Sequence, residues 1–313
     1  MRFIFFILWA SIFIVGCEPD VDTSDFLETP IGSEIVYENT EASVTPSSIS
    51  TPTQIPTKTP LSSSTVVPKG EVFTINIRFS ELDQMVLVYI PEGSFEMGSV
   101  DGWDSEQPVH TVNLSAFWMD QTEVTNYQFA LCMESGACRE PASNQSFSRK
   151  DYFINPIFSD YPVVNVSWSD AVDYCQWAGR RLPTEAEWEM AAKNGKDATY
   201  PWGEGIDCSF ANYINCTGDT SEVGIYPLGA SPFGVLDLSG NVWEWVADWY
   251  DALYYESHPI DYPSGPESGA YRVVRGGSWN DYEWYLRTTS RYSYFPDTRR
   301  VSVGFRCVID YVE

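Results

Sequence analysis

From residue 85 onward the apolar positions fall into two kinds of short pattern. Residues 85–90 read as a strand, and in residues 110–119 Val112, Leu114 and Ala116 alternate with polar neighbours, which predicts a second strand. Helical spacing begins after Val163-Val164-Asn165-Val166, where Ser167 or Ser169 can cap a helix with Ala171, Tyr174, Cys175 and Ala178 inward and Gly179 as its end. Thr184, with Glu187 three positions on, forms a capping box for the next helix. That helix carries Trp188, Ala191 and Ala192 on one side and stops at Gly195. A third begins at Thr125 or Asn126 and runs through Tyr127, Ala130 and Leu131. Long periodic runs are few, so the pattern predicts an irregular fold with short strands and many ordered loops.

The start of the chain has another character. Residues 3–15 are apolar apart from Ser11 and are followed by Gly16-Cys17. Thirteen such residues fall short of the roughly 18 to 20 that a membrane helix needs, so residues 1–17 read as a signal peptide. A small residue directly before a Cys resembles the bacterial lipobox, which implies cleavage before Cys17 and lipid attachment to it. Residues 18–70 form a disordered Ser/Thr/Pro-rich tether: between Thr40 and Pro68, nineteen of 29 residues are Ser, Thr or Pro, too few apolar groups to offset the entropy of ordering. Such a coil holds the next domain roughly 40 Å from the anchor. Residues 71–313 are then one domain, exported and lipid-anchored, facing the periplasm or the cell exterior.

Charge narrows the partners. The chain has 18 basic and 44 acidic side chains, a net charge of −26, and the domain alone carries 36 acidic and 15 basic residues. Phosphate backbones bind through clustered Lys and Arg, so nucleic acid is excluded as a partner. His110 and His258 are the only histidines, which leaves little material for a zinc or iron site built on imidazoles. No phosphate loop, kinase signature or EF-hand pattern occurs.

A series of blocks carries a resemblance. Ile90-Pro91-Glu92-Gly93-Ser94-Phe95, Glu123-Val124-Thr125-Asn126, Asn165-Val166-Ser167-Trp168, Arg181-Leu182-Pro183-Thr184-Glu185-Ala186-Glu187-Trp188-Glu189, Gly240-Asn241-Val242-Trp243-Glu244-Trp245, Arg275-Gly276-Gly277-Ser278-Trp279 and Gly304-Phe305-Arg306-Cys307 stand in this order. They resemble the successive signatures of the formylglycine-generating enzyme, or sulfatase-modifying factor, family. The resemblance implies an α/β (α+β) fold, C-type-lectin-like, with low regular secondary structure. It also implies a copper oxidase that converts a sulfatase cysteine to formylglycine, using two cysteines that come after the Gly-Gly-Ser block. Here those positions are Asp281 and Leu286. Soft thiolates hold Cu(I); a carboxylate is a hard donor and an aliphatic side chain is no donor. Copper is therefore not expected, and Trp243 and Ser278, near the family's active centre, mark a groove without confident catalytic residues.

The seven cysteines divide accordingly. Cys17 takes lipid; Cys132 with Cys138, and Cys208 with Cys216, are spaced for local bridges, while Cys175 and Cys307 match positions bonded in the family. The resemblance also implies calcium, at Asp237, Gly240, Val242 and Glu244, and in a second site at Asn212 and Tyr213 with Asp219 as a substitute ligand. Oxygen donors suit that hard cation. His110 reads as a structural histidine; Trp243, Trp245 and Trp249 read as core; Arg287 and Arg291 either reach the groove or pair with surface carboxylates. Two functions stay open. One is a non-oxidising binding or accessory module for a protein, peptide or glycan. The other is a formylglycine-generating oxidase, or an oxygen-dependent enzyme with another metal at Asp281.

Overall fold

The computed structural model describes residues 75–193, 198–257 and 259–312. The chain divides into two units, residues 1–64 and 65–313, and every described residue belongs to the second. The signal segment, Cys17, the tether, Gly195 and His258 lie outside the described residues.

In chain order the strands are β1 (Ile77–Phe79), β2 (Val86–Ile90), β3 (Gly93–Met97), β4 (His110–Leu114), β5 (Phe117–Asp120), β6 (Trp243–Trp249), β7 (Arg272–Arg275), β8 (Arg291–Tyr294), β9 (Val303–Phe305) and β10 (Val308–Asp310). The helices are α1 (Asn126–Glu134), α2 (Trp168–Trp177) and α3 (Glu185–Lys193). One antiparallel sheet has the order β1-β2-β5-β10, β3 and β4 form a hairpin, and a third sheet runs β8-β7-β6-β9 with β6 and β9 parallel. This is the mixed α+β architecture with little regular structure that the sequence predicts.

Residues 110–119 are not one strand. They split into β4 and β5, which pair with different partners. The reason is a change of parity: Val112 and Leu114 are buried at even positions, Phe117 and Met119 at odd ones, so the chain must turn over between them. Met119 then stands between Val88 of β2 and Val308 of β10, all three without exposure to solvent.

The helices begin where the capping residues lie. Thr125 Oγ1 accepts from Gln128 N at 3.2 Å, Ser167 Oγ from Asp170 N at 3.2 Å and Thr184 Oγ1 from Glu187 N at 3.1 Å. α2 buries Ala171, Tyr174 and Cys175 as its spacing predicts. In α1 the buried apolar residues are Phe129 and Cys132, while Tyr127 points outward.

α3 departs from ordinary amphipathicity because all nine of its residues are buried, four of them charged. Each charge has a partner. Glu185 takes a two-pronged contact from Arg291 at 2.7 and 2.8 Å and a third bond from Arg275 at 3.1 Å. Glu187 receives Arg181 at 2.7 Å on each oxygen, and Glu189 lies 2.7 Å from Arg275 and 3.0 Å from Lys193. Arg275 sits in β7 and Arg291 in β8, so these pairs bind α3 to the third sheet. The first turn of α3 is also closed by Asp248 of β6, which accepts from Glu185 N at 2.8 Å. Burial and the neighbouring Glu185 carboxylate push Asp248 up to about 8.

Three disulfides join Cys132 to Cys138, Cys175 to Cys307 and Cys208 to Cys216. The first and third close short loops; Cys175–Cys307 spans 132 positions and ties α2 to the segment between β9 and β10. On the chain-entropy estimate a closure of that length contributes about 5 kcal/mol. Three bridges in one domain mark an extracytoplasmic fold. Among the described residues no helix is long and apolar enough to cross a membrane.

Candidate functional site

The Gly-Gly-Ser block comes directly after β7 and turns sharply. Gly276 and Gly277 have φ of +94° and +74°, and a Cβ on Gly277 would stand 2.7 Å from Leu286 Cδ1 and 3.0 Å from the Tyr285 carbonyl. Only glycine takes that conformation at so close an approach. The turn buries Ser278 completely and aims its hydroxyl at Asn280 Oδ1, 2.8 Å away, and at Asp281 Oδ2.

Asp281 is held from two sides. Its Oδ2 accepts from Ser278 Oγ and from Trp243 Nε1 at 2.9 Å, and its carbonyl accepts from Ile214 N at 3.0 Å. Trp243 opens β6, so the central strand positions the carboxylate through an indole edge. Burial raises the Asp281 carboxyl above its ordinary range against the opposing effect of these hydrogen bonds. Leu286 goes the other way: it is fully buried in a cluster with Tyr200 and Ala211. The two positions therefore present one hard oxygen donor and one packed aliphatic group, a donor set that does not fit copper.

Around Asp281 the surface is aromatic. Seven of the seventeen residues 279–295 are aromatic. Tyr285 and Tyr292 lie 6.2 and 5.7 Å from Trp243 between ring centroids, and Tyr285 also meets Trp103 at 5.1 Å. Tyr282 stacks on Trp284 at 4.6 Å, and both are exposed. No sequence motif points to these rings; their one signal is the aromatic density of the segment itself.

Trp243 and Trp245 are core residues as expected, whereas Trp249 is half-buried and lies over the Arg272 guanidinium, which Trp168 covers from elsewhere. His110 packs edge-on against Tyr255, with Nδ1 2.8 Å from the Pro108 carbonyl, a structural role. Arg287 and Arg291 are not free cations, and they do not pair with surface carboxylates. Arg287 forks onto Glu106 at 2.6 and 2.8 Å, and both Glu106 and Glu185, the partner of Arg291, are buried.

The first set of oxygen donors converges on a buried arginine. Arg306 donates to both oxygens of Glu244 at 2.7 Å, and Trp188 Nε1 adds a bond of 2.7 Å to Oε2. Asp237, in the left-handed region at φ +58°, accepts from Gly224 N at 2.6 Å. Glu123, which the resemblance does not place among the calcium ligands, joins them: its Oε1 accepts from Asn241 at 3.0 Å and its Oε2 is buried without a hydrogen-bond partner. Burial, reinforced for Glu123 by the Asp237 and Glu244 charges, raises both Glu123 and Asp237. Three carboxylates facing one guanidinium, with an orphaned oxygen among them, fit a hard cation in charge and donor type. Among the described residues no three His, Cys, Asp or Glu side chains already have metal-centre spacing.

The second set is differently occupied. Asn212 Oδ1 accepts from Thr217 at 2.8 Å and its Nδ2 donates to the Asp219 carbonyl at 2.9 Å, while Asp219 accepts from Ser146, Ser148 and Thr220. The Tyr213 carbonyl accepts from Cys216 N at 3.0 Å. These groups tie down the loop closed by Cys208 and Cys216.

Sheet order, the double-glycine turn and the Asp237–Glu244 loop together define a formylglycine-generating-enzyme-like fold. A profile of the sulfatase-modifying factor enzyme 1-like domain matches residues 74–311, and the chain belongs to that family. The serine/threonine-protein kinase Pkn1 of Chlamydia trachomatis is 40% identical over 237 residues, covering 72% of this chain and 38% of that one. The chain thus spans under two-fifths of the length of such relatives. The formylglycine-generating enzyme of Thermomonospora curvata is 34% identical over 287 residues, covering 72% of this chain and 93% of the enzyme. Among solved structures, PvdO from Pseudomonas aeruginosa superposes with a TM-score of 0.64 at 27% identity, over 75% of this chain and 98% of PvdO. Treponema denticola variable protein 1 gives 0.63 at 24% identity, over 77% and 100%, a likeness of fold.

Proposed function

We propose that the chain is a lipid-anchored, extracytoplasmic lipoprotein whose domain is a non-oxidising binding or accessory module, working through the groove at Trp243, Ser278 and Asp281. The observation that carries this reading is the donor set: Asp281 and Leu286 stand where the family's copper thiolates stand, and all six cysteines of the domain are joined in disulfides. No thiolate remains for Cu(I). The kinase relatives support a module reading, because their matched region is a minor part of a longer chain. Identity to the formylglycine-generating enzyme of Thermomonospora curvata favours the competing oxidase. Calcium, in this reading, is structural: Asp237 and Glu123 hold it, with Gly240 and Val242 as backbone donors, while Glu244 remains bonded to Arg306.

Purified protein then shows no thiol-dependent Cu(I) binding, and incubation with a Cys-x-Pro-x-Arg peptide, copper and oxygen yields no aldehyde by mass spectrometry; reproducible aldehyde establishes the oxidase instead. Millimolar calcium raises the melting temperature of the wild type by several degrees and that of Asp237→Asn by much less; an equal shift in both removes calcium from this loop. Cys17→Ser abolishes incorporation of labelled fatty acid, and persistence of the label places the anchor elsewhere.

A further inference from the structure

The non-oxidising reading leaves the groove's ligand unspecified, and the surroundings of Asp281 narrow its chemistry. Ser278 and Trp243 both bond Oδ2, and among the described residues Oδ1 has no hydrogen bond. Among the described residues Asp281 has no ion-pair partner, although this protein supplies an arginine to its buried carboxylates at Asp83, Glu106, Glu185, Glu189 and Glu244. A desolvated carboxylate without a counter-charge favours any cation that reaches it.

Two tyrosine rings stand against the indole that bonds that carboxylate. Tyr285 and Tyr292 meet at 84° with centroids 6.5 Å apart, and both abut Trp243, whose indole nitrogen bonds Asp281. Tyr292 is 43% exposed and Tyr285 half-buried, so both side chains reach solvent, whereas Trp243 is buried and acts by positioning. Two tyrosine rings and an unpaired carboxylate gathered around one indole match the requirements of a desolvated cation, which gains from ring quadrupoles and from the opposite charge. Neighbouring rings of the same field already take guanidinium groups: Arg300 lies 4.7 Å over Tyr294 and Arg287 5.7 Å over Trp103. Among the described residues no guanidinium covers Tyr285, Tyr292 or Trp243. The domain's excess of acidic residues adds long-range attraction for a positively charged ligand.

We propose that Asp281, Tyr285 and Tyr292 form a subsite for an organic cation, a guanidinium or alkylammonium group. This assignment rests on the groove being a binding site; it does not require any particular ligand to carry the cation.

Calorimetric titration of the full chain in detergent tests it, with choline and N-acetyl-arginine amide as probes. Their neutral isosteres, 3,3-dimethyl-1-butanol and N-acetyl-citrulline amide, serve as controls, and the two arms distinguish a quaternary ammonium from an arginine side chain. At least one cation binds saturably in the millimolar range or tighter, at least tenfold better than its isostere. Asp281→Asn, which keeps an acceptor for Ser278 and Trp243, weakens that binding about tenfold. Tyr292→Ala does the same and Tyr292→Phe does not, with melting temperatures unchanged. Equal binding of cation and isostere, no saturable binding of either cation, or wild-type affinity in folded Asp281→Asn or Tyr292→Ala overturns the subsite. Those results leave the non-oxidising reading standing, because aldehyde formation decides it separately.

Discussion

Arg275, Arg291 and Arg306 are buried, and the glutamates facing them join α3 and the third sheet within a shared apolar core. Short strands and nine- or ten-residue helices bury little surface each, and loops make up much of the domain. Leaving any one of these charges without its partner costs about 3 to 5 kcal/mol, so the alternative arrangements of α3 and the third sheet are strongly disfavoured. Arg275 and Arg291 fix α3 across β7 and β8; Arg306 fixes Glu244 of β6 and also donates to the carbonyls of Asp120, Gln121 and Leu236. The central strand is thereby pinned from both sides, and Trp243 at its start holds Asp281 in place.

This network changes the meaning of the signature blocks. Glu185, Glu187 and Glu189, together with Glu244, Arg275 and Arg306, come from four separate blocks, and all serve the interior. Trp243 and the Gly276-Gly277 turn are likewise scaffold, holding Ser278 and Asp281 at a fixed place. A chain can thus keep the family's framework while the positions that the resemblance assigns to copper, Asp281 and Leu286, are a carboxylate and a buried leucine.

Much of the fold is legible in the sequence because it depends on local chemistry. Thr125, Ser167 and Thr184 start helices through their own hydroxyls, and the short loops between paired cysteines are readable by spacing. The break within residues 110–119 is legible in principle, since buried parity shifts between Leu114 and Phe117, but alternation alone hides it. Other features depend on distant partners. Nothing near Arg291 in the sequence announces Glu185, and nothing near Glu123 announces Asp237 or Arg306. Tyr285 and Tyr292 come near Asp281 only because β6 sets Trp243 against both rings and against the carboxylate.

If the scaffold is intact and only the metal donors are replaced, restoring them must restore the metal. Cu(I) titration of the Asp281→Cys/Leu286→Cys double variant under reducing conditions that spare the three disulfides tests this directly. The folded double variant should bind Cu(I) tightly through its two new thiols while the wild type does not. A folded double variant with no Cu(I) affinity, or a wild type that binds Cu(I) equally well, contradicts it.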